Sequence, residues 1–373
     1  MQSTDGLPTS RFDRLTEFLE QDPHNQTLAT DAVEAAISEN RPDEAEALLA
    51  RHRLDAVRTA YLSGLIAMHR RRWSHAAAQF RGLFAAGETA PAIRFNLAWS
   101  LAMEKQPADA LSVLDNVTAQ TLPQAAELEV RLRHELDDFE GAEARARALL
   151  EVHPDHRGLN AAVATLAIDI EDVALAAHCA QRAGDHPEAL ATLGTLALEA
   201  EDSMQARKLF EQALERDPNS PRALIGRGLS RLIEADHAGA AAELDRGAEL
   251  FGTHLGSWIA AGWAHFTAGD MKTARSRFEH ALALDDSFAE SHGSLAVLDL
   301  LEGKLDQASR RVAIAKRLDR ASFSAALAEM LLAAGSGDAE KSRRIFEAAL
   351  ATPFDASGRT LAQSFARLGA RAG

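Results

Sequence analysis

The chain is poor in the features that mark most enzymes, secreted domains and membrane proteins. Cys179 is the single cysteine among 373 residues, so neither an intrachain disulfide nor a four-cysteine metal site is available. A small buried apolar role is expected for it. No uninterrupted apolar run reaches membrane-spanning length, and MQSTDGLPTSRFDRLTEFLEQDP lacks the basic start and apolar core of a secretory signal. Cytoplasmic residence is therefore expected, without direct membrane insertion; recruitment to a membrane-associated complex through another protein stays open. Positive charge is in deficit, with 40 Lys plus Arg against 55 Asp plus Glu and a formal charge of -15. That balance disfavours nucleic acid and anionic lipid as partners.

The one basic run, His69 to Trp73, is read as a solvated turn, because neither neighbour extends it into a stripe. Catalytic motifs are missing as well: there is no glycine-rich phosphate loop, zinc-protease helix or nucleophile elbow. His153 and His156 flank Asp155 around a turn, but a dedicated metal site needs further ligands and oriented support. His265 and His292 read as exposed or hydrogen-bonded helical residues. Asp169, Glu171 and Asp172 are neighbours in sequence, which does not make a general acid-base pair. Neither enzyme activity, nor a cofactor, nor a metal is expected.

What the chain does contain is a repeat. Ala206, Ala240, Ala274 and Ala308 recur at one unvarying interval, and Phe210, Leu244, Phe278 and Val312 follow at a constant offset of four. Strand-like alternation is nowhere sustained, whereas Ala, Leu, Glu and Arg fill helix-compatible runs. Small residues at Gly194, Gly228, Gly262 and Ala296 are expected to let a first helix approach a second one. The larger residues would then fill the space between neighbouring pairs.

The segment starting at Pro187 resembles the tetratricopeptide repeat family at Leu190, Leu193, Gly194, Ala197, Ala206, Phe210, Ala213 and Pro218. The segment starting at Leu255 resembles it at Trp258, Ala261, Gly262, Gly269, Ala274, Phe278 and Ala281. The resemblance implies an all-α fold, a right-handed α-solenoid of helix pairs with terminal capping helices. Four segments are expected: an N-terminal capping helix (1–25), irregular repeats (26–186), regular repeats (187–354), and a C-terminal capping helix and tail (355–373). In the first, Arg11 to Gln21 offers Phe12, Leu15, Phe18 and Leu19 as an apolar stripe. Further core places are Ala32, Ala36, Ala45 and Leu49, then Gly64, Ala67, Ala76 and Phe80. Leu97, Ala98, Leu101, Ala110 and Leu114 follow, and then Leu132, Leu136, Ala142 and Leu149. Residues 155–186 read as a degenerate repeat, and Leu361, Phe365 and Leu368 as the stripe of the final cap.

In this family the first helix of each unit lines the concave surface, which implies a partner-binding trough. The transferred places are Arg222, Ile225, Leu229, Leu232 and Ile233, then Ile259, Trp263 and Phe266, then Val297, Leu300 and Leu301. A second patch, Tyr61, Leu65, Met68, Phe95, Trp99 and Met103, is bordered by Glu127, Arg131, His134 and Glu135. Thr30, Glu34, Tyr61 and Leu65 stand where a basic carboxylate clamp would need Lys and Asn, so that mode of tail recognition is not expected. The expected function is a non-catalytic scaffold or adaptor binding a protein helix or peptide. A homo-oligomeric structural component is the main alternative, and a small-molecule effector or unusual enzyme the weaker one.

Overall fold

The computed structural model describes residues 10–351, in which there are 22 helices and no strand. The chain divides into two compact units, Met1–Leu166 and Ala167–Gly373. Repeat spacing becomes regular only at Pro187, so contact density and sequence period mark different places. The expected 355–373 cap and tail lie outside the described residues.

The first unit contains α1 (Arg11–Gln21), α2 (Gln26–Ser38), α3 (Pro42–Arg51), α4 (Ala56–His69) and α5 (Trp73–Ala85). It continues through α6 (Pro91–Met103), α7 (Pro107–Val113), α8 (Asn116–Thr121), α9 (Pro123–Glu135) and α10 (Phe139–Val152) into α11 (Arg157–Asp169). The α1 helix starts where Ser10 accepts the Asp13 N–H, and it holds the α2–α3 turn through Phe12 N–H to Glu39 and Asp13 to Arg41 at 2.7 Å. Phe12 and Leu19 are buried, but Phe18 is 56% exposed rather than part of the stripe. One residue turns a helix by roughly 100°, which carries Phe18 away from Leu19 and Phe12.

Two other expectations change. The helix from Pro107 breaks after Val113, and α8 begins afresh where Asp115 accepts the Thr118 N–H at 2.8 Å. Arg94 holds the break by donating to the Val113 carbonyl at 3.1 Å and pairing with Asp115 at 3.2 Å. Leu136 is exposed rather than in the core because it is the C-cap of α9, where the chain leaves the helix.

The second unit holds the end of α11 and α12 (Val173–Ala183), α13 (Pro187–Glu199), α14 (Ser203–Arg216), α15 (Pro221–Ile233) and α16 (His237–Phe251). After these come α17 (Leu255–Thr267), α18 (Met271–Leu284), α19 (Ala289–Leu301), α20 (Leu305–Leu318), α21 (Phe323–Gly335) and α22 (Ala339–Ala351). Ala206, Ala240, Ala274 and Ala308 are all buried, as are Phe210, Leu244, Phe278 and Val312. The side chain filling the space left by each small residue is the large one. A Cβ on Gly194 would stand 2.6 Å from the Phe210 ring, and one on Gly226 of the next first helix would come closer still. Gly262 faces Phe278 in the same way, and in the first unit Gly64 faces Phe80 at 2.6 Å. Each ring occupies a slot that a methyl group would close. Cys179 is buried, as expected.

One turn joins the helices of a pair throughout both units. Asn40, Arg71, Lys105, Asp137, Glu171, Glu201 and Ala235 have φ between 56° and 62°, and Gly269, Gly303 and Gly337 take the same place. The Ala235 N–H reaches the Leu232 carbonyl and the Asp236 N–H the Arg231 carbonyl, satisfying the end of the first helix. An aspartate then starts the second helix: Asp138, Asp172, Asp202, Asp236 and Asp270 each accept an N–H three residues on.

Buried or half-buried carboxylates, each held by two basic side chains, tie the helices further. Glu129 meets Arg133 at 3.2 Å and Arg145 at 2.7 Å; Glu243 meets Arg227 at 2.9 Å and Arg231 at 3.2 Å. Asp245 takes Arg277 and His265, both at 2.8 Å, and Asp299 takes Arg275 and Arg311, both at 2.9 Å. Burial pushes the Asp245 carboxyl up, but Arg277 and His265 outweigh it and the net shift is downward.

Three measurements follow from these features. Ala235→Gly should raise the urea midpoint by the equivalent of about 0.5–1 kcal/mol, since a left-handed Ala costs roughly 1–2 kcal/mol and glycine's entropy returns part of it. Asp299→Ala should lower stability by about 2–4 kcal/mol by leaving Arg275 and Arg311 facing one another, discounted for their partial exposure. The third concerns His254, whose Nδ1 accepts the Ser257 N–H at 3.2 Å and caps α17. Partial desolvation and then nearby Arg222 hold its pKa below the ordinary 6.5. The cap therefore contributes fully above pH 6.5 and is lost as pH falls through the lower folded value. Between pH 8 and 5, wild type should lose stability relative to His254→Asn, which keeps an acceptor there; a pH-independent difference would refute the capping role.

Candidate partner-binding surface

The first helices α15, α17 and α19 carry most of the expected binding residues. Ile233 and Leu301, at the C-terminal ends of α15 and α19, are 59% and 60% exposed. Ile225, Leu229, Leu232, Trp263, Phe266 and Leu300 are half-buried. Trp263 stands edge-on to Phe266 at 5.1 Å, and its ring lies 5.4 Å from that of the sealed Phe278. One side of the Trp263–Phe266 pair is thus locked into the core while part of its surface meets solvent.

Two residues expected on this surface belong to the core. Ile259 packs with Trp258, Phe278 and Leu295, and Val297 with Val312 and Ala328. The cause at Val297 is the close approach of α19 to α21: a Cβ on Gly293 would lie 2.5 Å from the Ala325 nitrogen. Helices that close bury the turn that follows. Arg222 is also committed, donating to both Asp169 carboxylate oxygens at 3.3 and 2.6 Å, with its guanidinium 5.9 Å from the Phe251 ring centre. No local sequence signal joins Arg222 to Asp169, because 53 residues separate them.

In the first unit, Tyr61, Leu65, Met68, Phe95 and Trp99 are half-buried against one core cluster, while Met103 is 40% exposed. Tyr61 lies edge-on to Phe80 at 6.0 Å, and Phe95 and Trp99 are 6.0 Å apart. Burial first, and the Glu34 charge second, push the Tyr61 hydroxyl's pKa up, which keeps it neutral. Glu127 and Arg131 pair at 3.0 Å, and His134 stacks edge-on with Phe139 at 5.8 Å. Glu127, Arg131 and His134 are thus engaged with their own neighbours, while Glu135 is exposed.

The basic run is largely neutralised from within its unit: Arg70 pairs with Asp43 and Glu46, and Arg72 lies 3.7 Å from Glu46. His153 Nε2 lies 2.9 Å from the Ala119 carbonyl, while His156 Nδ1 accepts the Leu159 N–H at 3.0 Å. His265 is hydrogen-bonded to Asp245, and His292 is buried with Nε2 2.9 Å from the Asp286 carbonyl. Among the described residues, no group of three His, Cys, Asp or Glu side chains could hold a metal ion, and no helix is long and apolar enough to cross a membrane.

Two family models, each described as a tetratricopeptide repeat, match residues 12–69 and 191–253. No curated protein matches the chain. Among solved structures, it is similar to a chain of the APC/C hetero-tetramer Cut9–Hcn1, at 14% identity and TM-score 0.54, covering 97% of this chain and 91% of that one. It is also similar to a monomeric IFIT1 mutant with Gppp-AAAA, at 13% identity and TM-score 0.54, covering 91% and 94%. Pseudomonas aeruginosa PilF aligns at 18% identity and TM-score 0.44, covering 56% and 95%. At such identities the first two likenesses speak to the helical-repeat fold alone. With the glycine slots, the paired helices and both sequence models in agreement, residues 12–69 and 191–253 are tetratricopeptide repeats within an all-α helix-pair array.

Proposed function

We propose that the protein is a non-catalytic adaptor that holds a helix or peptide of another protein against the first helices of its second unit. The carrying observation is the anchored, partly exposed Trp263–Phe266 pair, together with Ile233 and Leu301, which are exposed on the neighbouring first helices. An apolar partner side chain would gain roughly 1.5–3 kcal/mol from full burial there, and the fixed rings lose little entropy on binding. The half-buried Ile225, Leu229, Leu232 and Leu300 extend the same surface, whereas Ile259 and Val297 support it from within.

The first unit's Tyr61, Met68, Phe95 and Trp99 offer a second, more deeply packed patch, with Met103 as its most exposed member. The net charge of -15 and the ion-paired Arg70 and Arg72 favour protein over nucleic acid as the partner class. A cytoplasmic location, with attachment to a membrane-associated complex through the partner, fits this reading. Self-association is the alternative, and light scattering across a concentration range separates it from a monomeric adaptor.

Ile233→Asp combined with Leu301→Asp is the direct test, because both side chains are already largely in water and their replacement spares the core. Partners recovered by affinity capture would be purified and titrated against the folded variant. Binding should weaken by at least about tenfold, equivalent to 1.4 kcal/mol, with Tm nearly unchanged. Equal affinity for a validated partner would remove this surface from consideration.

A further inference from the structure

A row of leucines at the ends of second helices lies apart from the first-helix surface described above. Leu250, Leu284 and Leu318 follow one another at the repeat interval, Leu250 next to the last residue of α16 and the others closing α18 and α20. They are 46%, 41% and 44% exposed. The place one interval earlier holds Arg216, which pairs with Asp185 at 2.8 Å, so the row begins at Leu250. Single exposed leucines are ordinary, whereas three in register on successive helix pairs form an apolar ridge.

Charge changes sign along this ridge. The residue before each leucine runs Glu249, Ala283, Arg317. Glu249 and Arg317 are exposed, and neither has an ion pair among the described residues. Glu249 feels Arg277 at longer range, but that guanidinium is committed to Asp245. Arg246, the base nearest the acidic end in sequence, is spent on the Pro218 carbonyl and on Asn219. The other end is basic: from Leu305 to Arg320 there are five Lys or Arg against two Asp, the reverse of the balance in the whole chain. Of these, Arg311 serves Asp299 and Lys316 serves Glu329, while Arg310 stands two turns before Arg317 on the same face of α20.

We propose that a second copy of the chain covers this ridge, in an antiparallel dimer whose two-fold axis passes beside Leu284. That symmetry sets Leu250 against Leu318 of the partner subunit and Glu249 against Arg317 of the partner subunit, each contact occurring twice. Ala283 then falls at the axis, where a charge of either sign would meet its own like. A second copy is the occupant favoured over a foreign segment because the order acid, small residue, base is its own complement when the row is turned end for end. A parallel pairing would instead oppose acid to acid and base to base. The exposed charges set register more than affinity, and a ridge of three leucines gives a small, reversible interface. The Trp263 and Phe266 rings lie on a first helix outside it, so dimerisation neither rests on the adaptor role nor replaces it.

Sedimentation velocity of the full chain at low salt, over a wide concentration range, tests the assignment. Wild type should pass from monomer to dimer and go no further. Leu284→Asp should weaken self-association by at least about a hundredfold, because each dimer would hold the new charge twice beside its axis. Glu249→Arg and Arg317→Glu should each weaken it by at least about tenfold. An equimolar mixture of those two variants, and the chain carrying both substitutions, should dimerise as wild type does. All three side chains are already largely in water, so Tm of the monomers should stay unchanged. A wild type that remains monomeric throughout would overturn the proposal, as would growth beyond the dimer. Single reversals that associate as well as wild type, or a mixture no stronger than its components, would overturn it too. The adaptor role fails separately: Leu284→Asp should keep a validated protein partner, and Ile233→Asp with Leu301→Asp should keep the dimer.

Discussion

The repeated structure depends on one steric arrangement: a large side chain on a second helix fits a slot bounded by small residues on two successive first helices. Phe210 between Gly194 and Gly226 is the clearest case. Adding a methyl group to either glycine would collide with the ring, and removing the ring would leave the slot empty. Because each such ring touches its own pair and the next, it transmits helix spacing along the unit one neighbour at a time. One buried polar link follows the same nearest-neighbour logic. Asp299 on α19 reaches Arg275 on the helix before it and Arg311 on the helix after it.

That dependence explains why the fold was legible and the binding surface only partly so. The small and large members of the slot recur at a single fixed interval, and the positions are read directly from side-chain size. The turn carries a mark that went unread, aspartates such as Asp236 and Asp270 placed one residue after a left-handed position. Ala235 conceals that signal, because its conformation belongs to the turn and not to its own preference. The break at Leu114 was hidden for a related reason: its marker, Asp115, caps a short helix inside what looks like one continuous run.

Exposure is a different kind of quantity, set by how far apart neighbouring first helices stand. The family pattern places Ile259, Trp263 and Val297 on one surface, and the chain's own packing separates them. Gly293 lets α19 meet the backbone at Ala325, so Val297 is buried, whereas Trp263 is wide enough to reach past the seam while resting on Phe278. No single-helix periodicity contains the distance between α19 and α21. The Arg222–Asp169 pair was illegible on the same grounds, since its geometry arises from helices separated by an entire intervening pair.

The acids that clasp two cations bear on how such a surface stays in place. A carboxylate as buried as Asp299 is costly alone, and it stabilises the array only while both guanidiniums remain within reach. Apolar slots tolerate small sliding, because contact area changes gradually; a doubly paired carboxylate loses much of its favourable interaction when either cation withdraws. The two kinds of contact therefore divide the work. The rings set the spacing between pairs, and charged links such as Asp299 and Asp245 restrict their rotation, which keeps Trp263 and Phe266 oriented on α17 without sealing them.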